Sequence, residues 1–405
     1  MKKWIVIRLN PQRILCALWE DCRILSLDVF DSTKKDERLG SIFMGKVKNV
    51  LPDIHSAFVE YLPGKCGYMD LRSIPGSLRI GDELCVQIQR EAVKSKEPVL
   101  SGNIQLSGRY CVVMKDPVPV SISEKITDET WRSAMKEKIQ GYLARNAEGQ
   151  TKDYYVPILR TNAFGAPESE VFEEYEALCA QMKKLLTESA TRTAKTLIRK
   201  NDEEYCLLIR DSYGEMPEEI LTDDSAIYDE LVQSLSVQNP KYAEIIRLAV
   251  PKKGDYLSLA DRFNLSRELE HAMDKYVHLP SGAYLVIEQT EAMTVIDVNS
   301  GKNVTNSHGR KTEDEVFLKI NMEAAKECAR QLRLRNLSGM ILIDFIDMKG
   351  YECNRTLIDG IKEFLKDDPV KTVFVDMTKL GIVEITRKRV RRPLSETMKN
   401  YVDKH

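Results

Sequence analysis

The chain has 405 residues, more than one ordinary domain, so two to four folded units are expected. Hydrophobic residues make up 43%, enough for sizeable cores, and 60 basic against 62 acidic side chains leave a formal net charge of −2, so any nucleic-acid contact must come from clustered cations rather than from overall charge. Nine scattered cysteines with no C-x-x-C pair argue against a cysteine-rich zinc site and fit a reducing cytosol; the opening MKKWIVIRLNPQR is too weakly apolar for a secretory leader, and no apolar run is long enough to span a bilayer.

In chain order, residues 4–30 predict a hairpin or meander, with a polar turn at Glu20-Asp21. Residues 39–106 hold several short β-runs, GSIFMGKVKNV, SAFVEYL, CGYMDL and ELCVQIQRE, broken by signals such as Leu62-Pro63-Gly64, and together they suggest a small barrel. Residues 128–147 and 169–190 read as amphipathic helices, the second with Val171, Tyr175, Leu178, Met182 and Leu185 at helical spacing. Between them YYVPILRTNA is a strand running into a polar turn. Residues 203–278 mix strands and helices and end in LSRELEHAMDKYVHLPSG, read as a helix and its stop, with a unit boundary at Pro280-Ser281-Gly282. Then come a strand pair, AYLVIEQ and AMTVIDV, a long helix near 312–335, the strands MILIDF and TVFVDM, and a basic tail. This last unit reads as α/β.

Two of its strands stop in acid. TVIDVNSG carries Asp297 and, two places on, Asn299 on the same strand face; MILIDFIDM carries Asp344 and Asp347. If the two strands are sheet neighbours, Asp297 and Asp344 meet at a strand end, where α/β sheets bind ligands. Two carboxylates with few other ligands suit Mg2+, which prefers oxygen and keeps several waters. Acids that merely start turns or cap helices are the competing reading. Asp347, three residues past Asp344, is expected on the opposite face of a regular strand and hence in a supporting role.

The cations divide in the same way. Arg330, Arg333 and Arg335 crowd a helix end, where they compensate the dipole or form a phosphate-facing edge. Thr386–Arg392 holds five cations in seven positions, either a solvated face or a contact for backbone phosphates. In the barrel region Phe58 and Tyr68, with Lys46, Lys48 and Lys96 near them in sequence, read either as a platform for single-stranded bases or as core.

Three stretches, GSIFMGKVKNVLPDIHSAFVEYLPGKCGYMDL, AYLVIEQTEAMTVIDVNSGK and NMEAAKECARQLRLRNLSGMILIDFIDM, closely resemble the ribonuclease E/G family, with weaker similarity from the first hairpin to about residue 390. The resemblance implies an endoribonuclease that cuts single-stranded RNA to leave 5′-phosphate and 3′-hydroxyl ends. It implies a mixed α+β and α/β architecture: an RNase H-like subdomain in two parts (1–37 and 205–278), an inserted S1-type OB-fold (38–106) and 5′-end sensor (107–204), a DNase I-like catalytic subdomain (279–392) and a tail (393–405). The family's metal-binding aspartates fall on Asp297 and Asp344 and its accompanying asparagine on Asn299. Its RNA-gripping barrel residues fall on Phe58, Tyr68 and Lys96, with Tyr68 in place of the more familiar phenylalanine. Its 5′-monophosphate pocket falls on Gly108, Val112, Arg160 and Thr161, where arginine and hydroxyl suit a terminal phosphate. Family members continue into a C-P-x-C zinc link between protomers; with no cysteine after Cys353, a monomer or a zinc-free dimer is expected here.

The sequence therefore predicts a cytoplasmic, Mg2+-dependent endoribonuclease of RNA processing and decay. Two other readings stay open: a non-catalytic RNA-binding scaffold of the same family, and a phosphodiesterase acting on DNA or a small nucleotide.

Overall fold

The computed structural model describes residues 1–33, 37–73, 77–90, 97–115, 119–147, 155–212, 214–250, 257–301 and 313–402. They form a mixed α+β protein that divides into two compact units: residues 1–31, 216–229 and 245–405, and residues 32–215 with 230–244.

The first unit holds two sheets. A meander of Lys2–Asn10, Arg13–Glu20 and Arg23–Asp31 is extended by the parallel strands Glu219–Thr222 and Ile246–Leu248. Its second turn carries Asp21 and Cys22 at positive φ, next to the predicted break at Glu20-Asp21. The other sheet has six strands, in the order Tyr276–His278, Tyr284–Gln289, Met293–Asn299, Gly339–Asp344, Ile382–Arg387 and Thr372–Met377. Only Met293–Asn299 and Gly339–Asp344 run parallel. A parallel pair needs a long crossover, and the helix Glu313–Leu334 lies within it.

One face of this sheet is apolar because its strands alternate. Leu285, Ile287, Ile296, Val298, Ile341, Ile343, Val383 and Ile385 point into a core closed by Ala324, Cys328 and Leu332 of the long helix and by Leu357, Ile361 and Leu365 of the helix Tyr351–Lys366. The alternate residues, including Asp297, Asp344 and half-exposed Met340, face the other way.

The sequence misplaces two segments here. Tyr276–His278 is an edge strand rather than part of a helix stop, because the helix ends at Met273. Pro280-Ser281-Gly282 is accordingly a turn between two paired strands of one sheet. The basic tail begins as a central strand: Arg387 is buried, pairs with Asp368 at 2.7 Å and donates to Asn336 and to the Leu337 carbonyl, so it is structural and not a solvated cation. Arg391 pairs with Asp28 at 3.3 Å. Segregation of charge along the sequence cannot show that a partner waits in a distant segment.

The second unit contains the expected barrel. Ile42–Leu51, Ser56–Leu62, Lys65–Asp70, Val99–Ser101 and Glu83–Arg90 pair in that order, and Glu83–Arg90 closes back onto Ile42–Leu51. Five strands closed in this way fit an S1-like OB-fold. Phe43, Val47, Ala57, Val59, Tyr61 and Met69 fill the interior. Gly45 is needed where a Cβ would lie 2.4 Å from Val59. Beside the barrel, a four-stranded sheet of Ser121–Ile122, Pro157–Leu159, Cys111–Met114 and Gln105–Ser107 packs against the helices Glu129–Ala147 and Glu168–Ser189. All five residues singled out at helical spacing in the second helix are buried there.

Candidate functional site

In the six-stranded sheet, Asp297 and Asp344 are register partners on the two parallel strands, so their Cα atoms lie one strand spacing apart, about 4.8 Å. Each is flanked by buried neighbours, Ile296 and Val298 in one strand and, for Asp344, Ile343 in the other strand and Phe345 just past its end, which turns both carboxylates to the open face. Among the described residues neither pairs with a cationic side chain. Asn299 shares the face of Asp297 and donates its amide to Asp297 Oδ2 at 2.7 Å, holding that carboxylate in place.

Partial burial, then the charges of Asp297 and Asp347, push the Asp344 carboxyl up from its ordinary value. Asp347 is exposed, three residues past Asp344, and its charge reaches that carboxyl. The strand ends at Asp344, so two-residue alternation does not extend to the residues beyond it. Sequence reasoning missed the side chain that steers this segment: Asn321, fully buried in the long helix, donates to the Ile346 carbonyl at 2.8 Å and accepts from the Ile346 N–H at 3.1 Å. The signal was available as a polar residue in an otherwise apolar helical stripe.

Repelling carboxylates with no cationic partner among the described residues favour an added cation. Among the described residues no group of three or more His, Cys, Asp or Glu forms a ready-made metal cage. A hard ion that keeps most of its waters and takes one or two carboxylates fits this donor set; a thiophilic ion does not.

The arginines at the helix end are spoken for. Arg330 pairs with Glu327 and donates to the Ile24 carbonyl, and Arg333 donates to the Asp367 carbonyl. Arg335 is buried and bonds Gln331 and the carbonyls of Asp274 and His271. Burial pulls its pKa down to about 10, which still leaves it charged at neutral pH. The phosphate-facing reading of these three side chains gives way to capping and packing.

On the barrel, Phe58 and Tyr68 are cross-strand partners with ring centroids 6.2 Å apart, edge to face. Both are half-buried, on the face opposite the barrel core, so the core reading is excluded. The Tyr68 hydroxyl is 2.6 Å from the Ser56 hydroxyl, which anchors the ring. Among the described residues Lys46 and Lys48 make loose pairs, with Glu83 and Glu60, each at 3.6 Å. Lys96 lies outside the described residues.

Gly108, Val112, Arg160 and Thr161 come together on the four-stranded sheet. Val112 faces Ile158, and Arg160 follows directly on that strand, its N–H bonded to the Tyr110 carbonyl. Arg160 donates to the Gly108 carbonyl at 2.5 Å and to Asp211 at 2.6 Å, while the Thr161 and Ser123 hydroxyls are 3.0 Å apart. Two acids here escaped the sequence. Buried Glu174 accepts the N–H groups of Arg109, Tyr110 and Cys111 at 2.8–3.0 Å. It lies so close that a Cβ at Gly108 would sit 2.3 Å away, so Gly108 is glycine for packing against Glu174. Asp211 is contacted by both Arg160 and Arg210, and although burial opposes its charge, those two guanidiniums hold it below the ordinary carboxylate range.

Residues 105–390 match the family model described as the ribonuclease E/G family. This chain belongs to the ribonuclease E/G family. It is similar to ribonuclease E of Nostoc sp., 32% identical over 404 residues that cover 96% of this chain and 56% of that protein. It is also similar to ribonuclease G of Escherichia coli, 30% identical over 386 residues that cover 89% and 75% of the two chains. Ribonuclease G of Haemophilus influenzae is 28% identical over 414 residues, covering 97% and 81%. The chain thus spans about half the length of the ribonuclease E relatives it matches. The family match begins after the barrel strands, so the barrel stands on its own strand pairing. Among the described residues no helix is long and apolar enough to cross a membrane.

Proposed function

We propose that this chain is a Mg2+-dependent endoribonuclease that cuts single-stranded RNA internally, leaving 5′-phosphate and 3′-hydroxyl ends, in RNA processing and decay in the cytoplasm. The observation that carries this reading is the in-register pair Asp297–Asp344, with the Asn299 amide fixed on one member. We read the six-stranded sheet with its two helices as DNase I-like, the five-stranded sheet as RNase H-like, and the four-stranded sheet with its helices as the 5′-end sensor.

Asp297 and Asp344 would hold the ion, and Asn299 keeps the Asp297 carboxylate oriented toward it. When bound, Mg2+ lowers the pKa of an attacking water and offsets charge on the scissile phosphate. Asn321 fixes the backbone just past Asp344 and so sets how near Asp347 stands. Phe58 and Tyr68 stack bases while Lys96 and other lysines meet backbone phosphates, which binds RNA with little sequence readout. Arg160 and Thr161, framed by Gly108 and Val112, meet a terminal 5′-phosphate.

The test is one end-labelled RNA on a gel. Internal cleavage that needs magnesium and vanishes in Asp344→Asn is the expected result. A protein that binds this RNA and leaves it intact at all magnesium concentrations would instead be a binding scaffold.

A further inference from the structure

The open face of the six-stranded sheet carries three rings beside the carboxylates. His278 and Tyr284 are register partners with centroids 6.1 Å apart, and Tyr276 lies 6.2 Å from Tyr284. The residues between them, Val277 and Leu285, turn the other way into the core. Tyr276 is 49% exposed and His278 is exposed as well.

Register fixes where these rings stand. Tyr284 faces Asn299, while Tyr276 faces Val286, which in turn faces Asp297 and then Asp344. The rings therefore occupy the same face as the carboxylates, one and two strands from Asp297, about 5–10 Å across the sheet, and one strand further from Asp344. Cross-strand aromatic pairing alone gives a sheet modest stability, and exposed rings forgo most of the gain of burial. An aromatic row with two exposed rings and one half-buried ring, on the face of a proposed phosphate-handling site, suits nucleobases, whose faces stack on such rings whatever the base. The adjoining cation, Lys275, sits 5.9 Å from the Tyr276 centroid and is paired with Glu288 in an exposed bridge that a backbone phosphate can exchange.

We propose that Tyr276, His278 and Tyr284 form a base-stacking subsite for a nucleotide adjoining the scissile phosphate, so that the six-stranded sheet grips single-stranded RNA independently of the barrel. This rests on the reading of Asp297 and Asp344 as the cleavage site.

The experiment places 2-aminopurine beside the mapped cleavage position of an RNA oligonucleotide and reads its fluorescence with Asp344→Asn protein. Quenching is expected on binding. It should persist with Tyr276→Phe and Tyr284→Phe, which keep the rings, and be lost with Tyr276→Leu and Tyr284→Leu, which keep apolar bulk. In the otherwise wild-type chain the Leu pair should lower kcat/KM about tenfold, within what the loss of stacked bases gives. Thermal melts confirm that each variant is folded. Folded Leu variants with unchanged quenching and unchanged kcat/KM would overturn the subsite and leave the rings as sheet packing. Failure of the cleavage-site reading shows separately, as undiminished cutting by Asp344→Asn.

Discussion

Two pairs of acids in this chain have opposite circumstances. Glu174 and Asp211 in the second unit are met by the protein itself: three backbone N–H groups bond one and two guanidiniums flank the other. Asp297 and Asp344 in the first unit meet each other instead, and Asp344 is pushed up where Asp211 is held down. Carboxylates whose charge is satisfied build a fold, whereas carboxylates stacked in register with no cation among the described residues leave a demand for one. The difference lies in the partners and not in the residue type.

Substituting the unmet pair gives the largest expected effect. Asp297→Asn or Asp344→Asn should lower cleavage more than about 100-fold, beyond what removing a supporting partner of a metal ligand costs. Folding should not suffer. Removing one of two repelling charges at an exposed position leaves stability within about 0.5 kcal/mol, with the sign toward a higher Tm in metal-free buffer. Added magnesium should raise the Tm of the wild-type chain and leave either variant unmoved. Wild-type turnover in both variants, or a magnesium shift that survives in them, would break the contrast.

The satisfied pair should respond in the opposite sense. Glu174→Ala removes the acceptor from three backbone donors, and each buried donor left bare costs about 1–3 kcal/mol. The expected outcome is a cooperative loss of the second unit's structure, read by denaturant melting or by hydrogen exchange at 105–115. A variant as stable as the parent would mean that water replaces the carboxylate at no cost.

The barrel rings come next. Phe58→Ala and Tyr68→Ala should each weaken binding of single-stranded RNA by about 1–3 kcal/mol while the barrel stays folded, since neither ring belongs to its core. Unfolding of the barrel with unchanged affinity per folded molecule would reverse the assignment.

Much of this contrast was legible in the sequence on one side only. Strands ending in acid announce themselves, because Asp297 and Asp344 interrupt β-branched runs; that the two strands are parallel neighbours was left open in the sequence and comes from the structure. The barrel was legible from its spacing of short strands. Long-range partnership stayed hidden. Nothing local to Glu174 shows that a loop from 109–111 will wrap its carboxylate, nor does the run of cations from Arg387 show that this side chain turns inward to Asp368. The Asn321 clamp was half legible, as a polar residue in an apolar stripe whose target could not be read. Alternation does not reach Asp347, because the strand stops three residues earlier.

Acid separates Asp344 from Asp211 more gently. Burial and like charge raise Asp344, so its charged form is disfavoured in the folded state and protonation relieves the repulsion. Metal binding needs the charged form. The magnesium-induced rise in Tm should therefore fade as pH falls, starting above the range in which an ordinary aspartate protonates. Asp211 works the other way: its stabilisation is present above the unfolded value of aspartate and is lost only as pH falls through its lowered folded value. A magnesium shift unchanged down to the ordinary aspartate range would remove the argument from like-charge repulsion.

The smallest expected effect tests whether a satisfied acid also tunes recognition. Arg160 gives Asp211 and the Gly108 carbonyl the hydrogen bonds a terminal phosphate would use, so a 5′-phosphate must compete with Asp211 for the guanidinium. Asp211→Asn keeps an acceptor at that place and removes its charge. Arg160 is about a quarter exposed, so solvent screens the pair and the gain is a modest one, below about 1 kcal/mol. RNA with a 5′-monophosphate should then be cut a few-fold faster relative to its 5′-hydroxyl counterpart than by the parent chain. Arg160→Ala should erase the difference between the two ends. Asp211 also faces the buried Arg210, so a melt must accompany the rates: an equal loss of rate on both RNAs together with a lowered Tm would place Asp211 among purely structural acids, beside Glu174.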